Sequence, residues 1–130
     1  MEYYDYEKLV PFETLKGKVF TKIEQAGATI KFYVSSDKYY LMAHDQECCE
    51  TVWIEDICGY FDDLIGSPIL VARESTSSEN PEGVDIEEEC QDSFTWTFYS
   101  LATVKGYVDI RWYGESNGYY SESVELYDYT

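Results

Sequence analysis

Positive charge is what this sequence has least of. Nine lysines and arginines and one histidine, His44, stand against 26 aspartates and glutamates in 130 residues, a formal charge of −17. A field of that sign repels phosphate, which disfavours nucleic acid and anionic membrane as direct partners. Long hydrophobic runs are also missing: nothing approaches the ~18 apolar residues of a membrane-spanning helix. The opening Met1-Glu2-Tyr3-Tyr4-Asp5-Tyr6-Glu7 has neither the basic nor the apolar stretch of a secretion signal, so an intracellular protein is expected. Neither Gly-x-Gly-x-x-Gly nor a phosphate-binding loop occurs, which leaves nucleotide chemistry without support. There is no internal repeat and no linker long enough to separate two domains.

What is present points to a folded chain. A hydrophobic fraction of 45% and an aromatic fraction of 18% exclude a disordered acidic polymer, because there is ample apolar surface to offset chain entropy. The length suits one domain with one core, spanning residues 1–130. The charge is unevenly spread. Residues 1–38 hold six acids and six bases, whereas residues 39–130 hold 20 acids against Arg73, Lys105 and Arg111, so the whole −17 lies there. Such a field suits a basic protein or multivalent cations, and it also serves plain solubility.

Strand patterns dominate. Val19–Glu24 and Thr29–Val34 alternate apolar and polar residues around a turn at Gln25–Ala28, and Ser35–Lys38 leads to a third strand, Tyr39–Ala43. Glu50–Ile57 suits a short strand, and Asp56–Gly66 a turn of helix closed by Gly66. Pro68–Glu74 is a further strand, and Ser75–Gln91 a polar, acidic loop. Three strands follow, Ser93–Val104, Tyr107–Tyr113 and Tyr119–Tyr127, with hairpin turns at Lys105-Gly106 and Asn117-Gly118. Trp96 and Phe98 alternate with Thr95 and Thr97, so one sheet face should be aromatic. Glu122, Glu125 and Asp128 would protect the last strand as a sheet edge. The expected fold is mainly β (α+β): a single compact domain built on an antiparallel meander, with a short helical turn and an irregular loop carrying candidate metal ligands.

That loop is His44-Asp45-Gln46-Glu47-Cys48-Cys49-Glu50. It gathers the only histidine and two of four cysteines, and imidazole with thiolate is the donor set zinc prefers. In a reducing compartment Cys48, Cys49, Cys58 and Cys90 suit free thiols or metal ligands better than disulfides, and neighbouring cysteines rarely bridge. The candidate metal ligands are His44, Asp45, Cys48 and Cys49, with Cys58 or Cys90 as alternatives for the fourth position. The competing reading is a buried thiol pair beside a surface histidine. A Cys–His dyad lacks an orienting group and an oxyanion donor, so no enzyme is expected. Between Arg73 and Lys105, seven carboxylates crowd residues 79–92, among them Glu82, Asp85, Glu87, Glu88 and Glu89. They are the candidate partner-binding surface, imitating DNA phosphates toward a basic groove; a solvated loop explains them equally, and their spacing is not that of a calcium loop. Fourteen tyrosines beside carboxylates suit an interface or cross-strand pairing.

The H-D-Q-x-C-C-E stretch, continued by Val52-Trp53-Ile54-Glu55-Asp56-Ile57, Gly59, Asp62-Asp63-Leu64-Ile65-Gly66 and Pro68-Ile69, resembles a family of small uncharacterised phage and prophage proteins. Leu15–Ile23 resembles that family's first strand, so the likeness covers roughly residues 15–75. In size and character the chain is also similar to zinc-containing type II-A anti-CRISPR inhibitors of streptococcal phages. That resemblance implies a protein in the host bacterial cytoplasm that binds a type II CRISPR effector nuclease and blocks DNA loading. It further implies a structural zinc on the His-Cys-Cys loop, with Cys58 falling where the family has another residue. The alternative is a small phage accessory or structural protein that self-assembles through its Tyr-rich β surface.

Overall fold

Alternating side chains become two antiparallel sheets because each strand has one face that must leave water. The computed structural model describes residues 5–78, 93–118 and 120–130. Its strands are β1 (Leu9–Val10), β2 (Lys22–Ala26), β3 (Thr29–Tyr33), β4 (Tyr39–Ala43), β5 (Thr51–Cys58), β6 (Val71–Ser77), β7 (Ser93–Thr103), β8 (Gly106–Ser116) and β9 (Glu125–Tyr129). One sheet has the order β1-β9-β4-β3-β2 and the other β5-β8-β7-β6. The expected meander is β2, β3 and β4, with Gly27 at φ +58° in the first turn, a conformation that favours glycine. The helical turn is a 3₁₀ turn at Phe61–Leu64, and the described residues contain no α-helix.

The two sheets share one core. Ile30, Phe32, Met42 and Leu126 point inward from the first sheet and meet Val52, Tyr99, Leu101, Val108, Ile110 and Trp112 from the second. Phe12 and Leu15, from a 3₁₀ turn at Phe12–Leu15, join the same core together with Phe20, Leu64 and Ile69. Burying one such large side chain is worth ~1.5–3 kcal/mol. The β7–β8 hairpin supplies the longest ladder, from Ser93↔Ser116 to Thr103↔Gly106, and it turns at Val104-Lys105 as the Lys105-Gly106 signal suggested.

Aromatic residues occupy both faces of this second sheet. Trp112 faces the core, while Trp96 and Tyr113 meet on the other face with ring centroids 4.7 Å apart. Trp53 packs beside Tyr113 at 4.9 Å, and the Arg111 guanidinium lies over Trp96 at 5.5 Å.

Three sequence expectations are corrected. The C-terminal strand is Glu125–Tyr129 and not an edge: it pairs with β4 on one side and β1 on the other. Leu126 faces the shared core and Tyr127 is fully buried on the opposite face, so the strand is sealed from both sides despite its charges. Asn117-Gly118 closes no hairpin, because β8 is already paired with β5 and β7; the chain passes instead to the other sheet. The first strand starts at Lys22, since Phe20 turns into the core and bridges Ile65 instead of joining the β2–β3 ladder.

A chain truncated after Val124 should lose cooperative thermal unfolding by circular dichroism, because β4 and β1 would both lose their neighbour. A sharp melt in the truncated chain would contradict this topology.

Candidate functional site

The 44–50 loop is organised by a buried carboxylate. It leaves β4 after the buried Ala43 and enters β5 at Thr51. At its centre the Glu50 side chain is fully buried. Glu50 Oε2 accepts from His44 Nε2 at 2.7 Å and from the Glu47 N–H at 2.9 Å. Oε1 accepts from the Cys48 N–H at 2.9 Å and from Gln46 Nε2 at 3.2 Å. Gln46 Nε2 also donates to the Glu50 carbonyl at 2.6 Å. His44 completes the circuit by donating from Nδ1 to the Ser123 carbonyl at 2.6 Å, which ties the loop to the segment entering β9. Burial opposes ionisation of Glu50, but the two backbone N–H groups and His44 outweigh it and hold the carboxyl at about 2.

The four expected metal ligands do not form a zinc donor set in this arrangement. Both His44 nitrogens have an oxygen partner within hydrogen-bond distance, the Ser123 carbonyl at Nδ1 and the Glu50 carboxylate at Nε2. The Asp45 carboxylate accepts from the Tyr6 hydroxyl. Cys48 and Cys49 are bonded to each other, which corrects the expectation that neighbouring cysteines stay unbridged. Among the described residues no three His, Cys, Asp or Glu side chains converge to hold a metal ion. Cys58 is a free, exposed thiol at the far end of β5 from the loop, seven residues and roughly 20 Å along the strand. Cys90 lies outside the described residues, as do Glu79, Glu82, Asp85, Glu87, Glu88, Glu89 and Asp92.

A second region escaped sequence reasoning. A groove of about 420 Å³ is lined by Glu74 of β6, by Glu122 and Glu125 before and in β9, and by hydroxyls including Thr95, Ser121 and Ser123. No lysine or arginine is among its described lining residues. Glu122 is buried; it accepts from Thr95 Oγ1 at 2.8 Å and from the Ser116 hydroxyl. Tyr99 donates to the Val124 carbonyl at 3.1 Å, fastening the groove's floor to the core. The three carboxylates are distant in sequence and meet only because β8 and β9 belong to different sheets.

The tyrosines also take an unexpected setting. Cross-strand register lines up Lys22, Tyr33, Tyr39 and Tyr129 in one row across β2, β3, β4 and β9. Lys22 lies 4.4 Å from the Tyr33 ring, Lys31 4.9 Å from Tyr39 and Lys8 5.6 Å from Tyr129. Lysine, then, and not only carboxylate, accompanies this aromatic surface.

Residues 13–126 match the model of a domain of unknown function, DUF7448. The chain belongs to the DUF7448 family. The matched span takes in the 44–50 loop, the seven strands from β2 to β8 and the beginning of β9, and the three groove carboxylates. No curated protein and no solved structure matches the chain. No described helix is long and apolar enough to cross a membrane.

Glu50 should set an acid limit on stability. Its folded value of about 2 lies below the ordinary 4.5, so its stabilising effect is present above the ordinary value and is lost as pH falls from about 5 to 2. The shift corresponds to about 3 kcal/mol. Glu50→Gln should therefore melt well below the wild type at pH 7, with the gap closing near pH 2. Parallel melting curves at both pH values would show that the carboxylate is not the hub.

Proposed function

We propose that this protein is a non-enzymatic inhibitor of the anti-CRISPR type, acting in the host bacterial cytoplasm. Its partner is a basic nucleic-acid-binding protein, in the first instance a type II CRISPR effector nuclease, whose DNA-loading surface it occupies. The observation that carries this reading is the negative groove, where Glu74 and Glu125 stand with buried Glu122 among hydroxyls and no cation is among the described lining residues. Carboxylates fixed in a groove present charge at low ordering cost, and can receive lysine or arginine side chains that would otherwise hold phosphate. The sequence carries seven further carboxylates at residues 79–92. The nuclease as partner comes from the likeness of the His-Asp-Gln-x-Cys-Cys-Glu stretch, and the charge supports only the wider class of basic partners.

Charge steering makes the association sensitive to ionic strength. Affinity for the nuclease should fall about tenfold or more from low to high salt. Glu87, Glu88 and Glu89 changed together to Gln should reduce capture in a pull-down. Affinity that stays flat with salt would remove the charge-mimic account, and absence of capture by every type II nuclease tried would remove the partner.

The Lys22, Tyr33, Tyr39 and Tyr129 row favours a second reading, self-assembly of a phage accessory protein through this face. In that case Tyr39→Ser should shift the protein to monomer in sedimentation velocity. A wild type that is monomeric at high concentration would rule this reading out.

A further inference from the structure

The Cys48–Cys49 disulfide stands at the exposed tip of the 44–50 loop, and neither cysteine belongs to the acidic groove or to the tyrosine row. The backbone around it is held without help from sulfur. The Cys48 and Glu47 N–H groups donate to Glu50, and Gln46 Nε2 donates to the Cys48 carbonyl at 3.1 Å. None of these bonds involves a sulfur atom, so breaking the S–S bond leaves the scaffold of the pair in place. Cys49 also lines a cleft of about 240 Å³ with Thr51, Glu115, Ser116, Asn117 and Tyr120. At ~30 Å³ per water molecule, that space accepts a small thiol.

We propose that Cys48 and Cys49 form a thiol–disulfide exchange site whose reductant is a low-molecular-weight dithiol or thiol and whose oxidant is the corresponding disulfide. A reductant thiolate attacks one of the two sulfurs, forming a mixed disulfide and releasing the other cysteine as thiolate. The second reductant thiol then displaces the first cysteine. Two electrons pass to the protein pair, the reductant leaves as its disulfide, and the two protons of the reductant end on Cys48 and Cys49. The oxidant reverses these steps. In a reducing compartment a surface disulfide is characteristically of this transient, sensing kind. The open form is a vicinal dithiol, the ligand chemistry that chelates a trivalent arsenical: both S–H protons leave with the arsenoxide oxygen as water, and two As–S bonds form.

The test is site-resolved alkylation of the wild-type protein purified in air, read by peptide mass mapping, with far-ultraviolet circular dichroism followed alongside. Without reductant, iodoacetamide should label Cys58 and leave Cys48 and Cys49 unlabelled and two hydrogens lighter. Dithiothreitol should expose both to labelling, oxidised glutathione should remove the labelling again, and the dichroism should stay constant through the cycle. Phenylarsine oxide added to the reduced protein should block both cysteines together. Three outcomes would overturn the proposal: labelling of Cys48 and Cys49 without reductant, loss of the folded spectrum on reduction, or reoxidation that pairs either cysteine with Cys58, Cys90 or a second chain. Protection of the pair that yields to a chelator instead of to dithiothreitol would also overturn it, in favour of bound zinc.

Discussion

Inward-pointing side chains from two sheets bury one another, and the positions of the loop and the groove follow from that contact. Ile30, Phe32 and Met42 cannot leave water alone on a five-stranded sheet, nor can Leu101, Ile110 and Trp112 on a four-stranded one. Facing each other, they do. The chain must then cross between the sheets, after β4 and again after β8, and both crossings are where unusual chemistry collects. Residues 44–50 make the first crossing, and the second lies between β8 and β9. The His44–Ser123 hydrogen bond joins the two, so loop and groove are braced against each other.

At the first crossing a buried carboxylate orders the loop. Glu50 draws donors from His44, Gln46 and two backbone N–H groups, which satisfies a buried charge and orders an irregular stretch that has little apolar surface of its own. Both imidazole nitrogens are drawn into this network, Nε2 to Glu50 and Nδ1 to the Ser123 carbonyl. The sulfurs, left outside the hub, are then free to serve redox chemistry.

The second crossing explains how a net charge becomes a surface. Solubility needs only scattered acids, but Glu74, Glu122 and Glu125 come from β6, the crossing segment and β9 to line one groove. Membership of the DUF7448 family places the chain among relatives without supplying a chemistry. The inhibitor reading accordingly stands on electrostatics and on the signature likeness. The lysine-bearing tyrosine row on the other sheet shows that the molecule is not uniformly negative: most of its positive charge lies on the first 38 residues, and Lys8, Lys22 and Lys31 rest on tyrosine rings.

Alternation along Thr29–Tyr33, Tyr39–Ala43 and Ser93–Thr103 was legible because a period of two is a local property, readable from neighbours in the chain. The β7–β8 hairpin was legible for the same reason. The place of β9 was not: its charges suggested an edge, and only the pairing of β1, nearly 120 residues away in sequence, covers its outer side. Asn117-Gly118 carried a strong hairpin signal, yet β8 had no free side left to accept a returning strand. In the candidate site, the loop and its key residue types were evident, with Glu50 present as the last letter of the signature. Its role was hidden, because burial and hydrogen-bond partners are set by what packs around a residue. The sequence by itself determined a β domain, its strand periods, its charge imbalance and a concentration of chemistry at residues 44–50. Tertiary structure alone decided that Glu50 would be the buried acceptor, that the cysteines would pair, and that three distant carboxylates would share a groove, since each depends on contacts between segments that local pattern cannot specify.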